Sequence, residues 1–216
     1  MQSRTGALLK TGQIIVSSLG LVESTLAKQA CAAFIDAQNA LGAANQQVRL
    51  ADRVVREATD VLITADKVKD SATFALAARL VAEGGDRIRP FKQFGVSSVS
   101  KLVRRGYVRQ AMVLNRLAHR VLSGGTASPE TKAAAERMEQ AVMAVIAANA
   151  QRNNALVKRT EAIAARDASL PDVWRQALSH LRLSIRFADA KEGTSDYEAV
   201  FPVIKRRRKS VVTPSL

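Results

Sequence analysis

The chain has one cysteine, two histidines and five prolines in 216 residues, and only 4% of it is aromatic. Each scarcity excludes something. A lone Cys31 leaves no intrachain disulfide, and with only His119 and His180 beside it a Cys/His zinc site within one chain is not expected. Cys31 reads as a small buried residue of an alanine-rich helix, and a single thiol suits a reducing intracellular compartment or the interior of a particle. Sandwiches and barrels lean on β-branched and aromatic residues, so a hydrophobic fraction of 47% dominated by alanine, valine and leucine points to helices instead. No apolar run is long enough for a membrane span. The most apolar stretch, Ile14 to Val22, has about half the length needed. Arg4 and Lys10 precede it as in a signal peptide, but no small-x-small cleavage site follows, so it reads as a helix that is buried or lies on another surface.

Chemical signatures are missing as well. There is no glycine-rich phosphate loop, metal-ligand cluster or nucleophile elbow, and Gly84-Gly85 and Gly124-Gly125 read as helix stops. Neither His119 nor His180 shows the base-plus-orienter pattern that catalysis requires. No catalytic residue, metal or cofactor is expected, and the chain does not read as an enzyme.

The strongest positive signal is a heptad pattern in a long helix over about 24–80, with a break allowed near Gly42 or Asp70. Leu41, Val48, Val55 and Leu62 alternate with Ala44, Ala51, Ala58 and Ala65, a spacing that lets an antiparallel partner approach closely, in this chain or another. Val54, Val61 and Val68 widen the stripe, while Arg49, Arg53, Glu57, Asp60 and Lys67 face away. A break at Glu83–Gly95, pinned by Phe91 and Phe94, leads to a basic helix over about 97–122. Ser128 and Pro129 then open a long helix to about 167, whose stripe carries Asn149 and Asn153 either at the solvent edge or as a buried, register-setting pair. A fourth helix covers about 171–190. Residues 191–216 read as an extended basic tail that Tyr197, Val200 and Phe201 could dock. The fold expected is all-α: an elongated bundle of about four helices, one domain over 1–190, with coiled-coil-like alanine-rich packing.

The +14 formal charge is unevenly spread. Residues 79–121 hold ten basic and two acidic side chains, and 175–216 hold nine and four, whereas the two longest helices are nearly neutral. On the basic helix Lys101, Arg105, Arg109, Arg116 and Arg120 share one side, with Arg104 at its border, and no acidic residue intervenes between Ser97 and Arg120. Val103, Tyr107, Leu114, Leu117 and Val121 form the opposite, apolar side. Arg175, Arg182 and Arg186 could extend this ridge, and Lys205, Arg206, Arg207, Arg208 and Lys209 make a second basic run. The pattern suggests a non-enzymatic structural or assembly protein that self-associates or packs with partner helices and holds a polyanion, foremost the nucleic-acid backbone without sequence specificity. The alternatives are a membrane-surface protein using the apolar N-terminal segment on anionic lipid, or an adaptor docking on an acidic protein face.

Overall fold

A computed structural model describes residues 4–96, 106–125 and 127–201. Among these residues the chain is all-α, as the composition implies. The helices are α1 (Arg4–Ser18), α2 (Lys28–Ala82), α3 (Tyr107–Ser123), α4 (Pro129–Ala168), α5 (Leu170–Glu192) and α6 (Asp196–Val200). Helix α2 runs unbroken through Gly42 and Asp70. No helix among the described residues is long and apolar enough to cross a membrane. The chain divides into two compact units, one from Met1–Val48 with Ala162–Leu216 and the other from Arg49–Glu161.

In the second unit α2 and α4 pack antiparallel. Arg159 bonds Asp52, and Arg152 Nε donates to Thr59 Oγ1 at 3.3 Å, so seven residues forward on α2 match seven residues back on α4. Leu62 is buried against Val145 and Ala148 with Ala65 beside them, while Val55, Ala51 and Ala58 are half-buried. Of the alanine row, Ala65 packs in this intrachain cluster. Val54, Val61 and Val68 do not join that core; they are half exposed. On α4, Asn149 is half-buried and Asn153 is exposed, so there is no buried amide pair. Two seam positions one turn apart rotate by about 40°, enough to take the second out of the groove.

At the far end of this unit a larger core forms where a third helix arrives. Leu76 and Leu80 of α2, Leu114, Leu117 and Val121 of α3, and Ala135, Met138 and Val142 of α4 are buried together. Phe91 is buried in the same cluster and Phe94 packs against it, so the Glu83–Gly95 break is pinned as its two phenylalanines suggest. Each fully buried large side chain contributes about 1.5–3 kcal/mol. Ser128 caps α4, its Oγ accepting from Thr131 N at 3.2 Å, with Pro129 at the first helical position.

The first unit packs α1, the start of α2, α5 and α6 around Phe34, Leu41, Trp174, Leu181 and Ile185. Trp174 stacks on Phe34 with ring centroids 5.5 Å apart, and its Nε1 donates to Gln38 Oε1 at 2.6 Å. Gln38 Nε2 in turn donates to the Leu9 carbonyl at 3.0 Å, and a Cβ at Gly12 would stand 1.9 Å from Gln38 Oε1, so a larger residue there displaces the amide from its partners. Ile15 and Leu19 are buried, whereas Ile14 and Leu21 are exposed, so the apolar N-terminal segment is a partly buried helix with two large residues outside. Cys31 is buried, and that burial pushes its thiol up from the ordinary value. Residues 191–201 do not form an extended tail: α5 continues to Glu192, Gly193 stops it at φ +71°, and α6 folds back. Asp189 organises that turn, accepting from Asp196 N and Tyr197 N, each at 2.9 Å. Buried Asp196 then accepts from Glu23 N and Ser24 N.

Candidate polyanion interface

Helix α3 is strongly two-sided. Ala111, Leu114, Leu117, Ala118 and Val121 are buried, while Arg109, Arg116, His119 and Arg120 are exposed. Tyr107, placed on the apolar side by its angle, is exposed at the first residue of the helix, outside the buried cluster. The seam of buried residues spaced by three and four leaves the arginines outside, since the core is filled from the other side. Arg120 Nη1 donates to the Phe94 carbonyl at 2.6 Å; the bond fixes its direction and leaves its charge uncompensated. Neither Arg109 nor Arg116 has a carboxylate partner among the described residues.

The neighbouring carboxylates have other work. Glu83 Oε1 accepts from Thr131 Oγ1 at 2.7 Å and Ser128 N at 3.1 Å, and hydrogen bonds from Ser128 and Thr131 hold its carboxyl below the usual range. Asp86 Oδ1 accepts the amides of Ile88 and Arg89, which depress its pKa in the same way. These are the two acidic residues of the segment 79–121, and both tie down loops. On α2, Lys69 is fully buried and bonds Asp66 as well as Asp70 at 3.2 Å. Gln110 Nε2 reaches Asp70 at 3.4 Å, which tethers the first turn of α3. On the other flank Glu139 of α4 lies 3.2 Å from His119 Nε2, a pairing invisible in sequence because twenty residues and a loop separate them.

The remaining expected anion contacts fall in different places. Lys101, Arg104, Arg105 and Lys205, Arg206, Arg207, Arg208, Lys209 lie outside the described residues. Arg175, Arg182 and Arg186 belong to the first unit, and each has an intrachain partner. Arg175 pairs with Asp172 one turn earlier. Arg182 lies over the Phe201 ring at 5.2 Å, and Arg186 lies over Tyr197 at 4.3 Å and donates to its hydroxyl at 3.0 Å. Arg182 and Arg186 thus hold α6 and Phe201 against α5, whereas Arg175 is paired within α5. The sequence held a hint of this: two arginines four apart, followed by two aromatics four apart. Of the expected packing residues, Leu41, Val48 and Leu62 are buried, and Ala44, Ala51, Val55, Ala58 and Ala65 are half-buried.

Chemically, the α3 face can do one thing well. Its guanidinium groups present rigid donors and permanent positive charge to phosphate or carboxylate oxygens. Comparison with protein-family models, with characterised proteins and with solved structures finds no match to this chain.

Proposed function

We propose that this protein is a non-enzymatic assembly component that holds a polyanion, foremost the phosphate backbone of nucleic acid, on the basic face of α3. One observation carries the reading. Arg109, Arg116 and Arg120 stand exposed on one helix face, while Glu83 and Asp86, the two carboxylates of the same segment, are engaged in loop hydrogen bonds. A merely solvated face would set carboxylates among its arginines to relieve their mutual repulsion. The basic runs at 101–105 and 205–209 add charge for the same ligand. The long α2/α4 pair supplies the scaffold for packing with further copies or partner helices, in the manner of a coiled coil.

The test is binding of mixed-sequence nucleic acid by fluorescence anisotropy at rising salt. The logarithm of affinity is expected to fall linearly with the logarithm of salt concentration, with a slope of about −0.9 per neutralised phosphate on duplex DNA. Affinity that does not respond to salt overturns the proposal.

A second reading rests on Ile14, Leu21 and Leu26, which are all exposed near the N-terminus. Shallow insertion of these side chains beside basic residues would hold the protein on an anionic membrane surface. Flotation with anionic vesicles that is lost on Ile14→Ser/Leu21→Ser would favour it. Flotation unchanged by that pair, or absent, removes it.

A further inference from the structure

The middle of the second unit is thin. Along the α2/α4 pair the buried cluster is Leu62, Val145 and Ala148, with Ala141 and Ala155 of α4 also buried, whereas the three-helix end buries a cluster of thirteen residues. Two helices alone leave most of each apolar surface in water, and stability normally requires more layers. The uncovered surface on α2 is ordered. Leu50, Val54, Val61 and Val68 lie within about 40° of one another around the helix and are 42 to 55% exposed, over a length of about 27 Å.

Charge beside this ridge indicates what covers it. Asp60 and Lys67 are exposed two turns apart on the outer flank, and neither forms an ion pair with a described residue. Residues 49–78 contain five basic and five acidic side chains in a chain of +14, so this is a stretch where two copies meet with little repulsion. A twofold axis near Thr64 makes part of the row self-complementary. Only Val61 and Val68 map onto each other about this axis; it sets Asp60 of one copy opposite Lys67 of the other, twice over, with small Thr64 at the axis, while Val54 extends the apolar margin.

We infer that the Val61–Val68 part of this ridge is the contact for a second copy of this chain, bound antiparallel about a twofold axis near Thr64. The inference extends the assembly half of the proposed function and is independent of the anion site on α3. The second copy converts the thin two-helix region into a four-helix layer, and opposite charges fix the register.

The experiment measures mass in solution over a range of concentrations, using nucleic-acid-free full chain at about physiological salt. The unaltered chain is expected to form dimers. Val61→Glu is expected to weaken dimerisation about a hundredfold by burying an unpaired charge, with helicity unchanged because the site is half exposed. Asp60→Lys and Lys67→Asp are each expected to weaken it about tenfold. Mixed together, these two single variants are expected to form a heterodimer with both charge pairs restored. A chain that is monomeric at every concentration overturns the inference and leaves the ridge to a different protein. Dimers indifferent to Val61→Glu, or single variants that mixing does not rescue, overturn it as well. None of these outcomes bears on nucleic-acid binding, which the salt titration tests separately.

Discussion

Two helices of this protein carry arginines in similar spacing, and their neighbours put them to different uses. On α3, Arg109, Arg116 and Arg120 face outward from a filled core, and the nearby carboxylates serve loops, a buried lysine or His119. On α5, Arg175 pairs with Asp172 at the start of the helix, while Arg182 and Arg186 lie over Phe201 and Tyr197 and fasten α6. The lesson is that the number of cations on a helix face does not measure their availability. Availability depends on what the rest of the chain brings within hydrogen-bonding or stacking distance.

Neutralisation breaks this comparison most directly. Arg109→Ala/Arg116→Ala is expected to reduce nucleic-acid affinity roughly 10- to 100-fold at about 0.1 M salt and to shallow the salt slope by about two phosphate contacts. Arg182→Ala/Arg186→Ala in the same anisotropy assay is expected to leave affinity within about twofold, because the Phe201 and Tyr197 rings cover one face of each guanidinium and hold it against α6 rather than toward a ligand. If the two double variants lose affinity equally, the contrast between the helices is wrong.

Next in size is the tether beneath α3. Lys69→Ala removes a fully buried ammonium from Asp66 and Asp70, at an expected cost of about 1–3 kcal/mol in denaturant unfolding. The cost sits at the low end for a broken buried pair because both aspartates keep some solvent access. Lys69→Met is expected to cost less, as it fills the space the alanine leaves empty.

On the other side of the comparison, Arg182→Ala/Arg186→Ala is expected to loosen α6 by about 1–2 kcal/mol, the sum of two exposed cation–π contacts. Faster amide exchange over 194–201, with little change elsewhere, would show it. The smallest effect concerns acid. The folded pKa of Glu83 lies below its ordinary value of 4.5, so the stability it contributes is present in full above that value and is lost as pH falls through the folded pKa. Glu83→Gln is therefore expected to lower the melting temperature slightly at neutral pH, with the difference from the unaltered chain vanishing in acid. A difference that persists unchanged at low pH would show that the carboxylate charge is not what secures the start of α4.

Much of the fold was legible because helix periodicity is a local property. The seven-residue spacing of Leu41, Val48 and Leu62, the stop at Gly84-Gly85, the two anchoring phenylalanines and the cap at Ser128 all express preferences set within a few residues. The alanine row pointed to a packed partner helix, though it could not say that α4 of the same chain would meet Leu62 and Ala65. Val54, Val61 and Val68 were misjudged for a related reason. A stripe broader than one groove was read as one face, and the angular width of a single neighbouring helix leaves its flank outside. The turn at Gly193 was overlooked because the glycine was read as part of a tail, and the aromatics that secure α6 arise from residues too few to show a period.

The basic face of α3 was legible to a similar depth. The absence of carboxylates between Ser97 and Arg120 is a sequence fact, and the apolar side of α3 follows from 100° per residue. By itself, then, the sequence determined the helical class, most helix limits, the uneven charge and the lack of familiar catalytic motifs. Tertiary structure alone decided which arginines stay uncompensated, where Lys69 and Glu139 find partners, and which valines remain uncovered. The physical reason is range. Periodicity and capping act within a turn or two of helix, whereas ion pairing, stacking and burial depend on residues that meet only after the chain has folded back on itself.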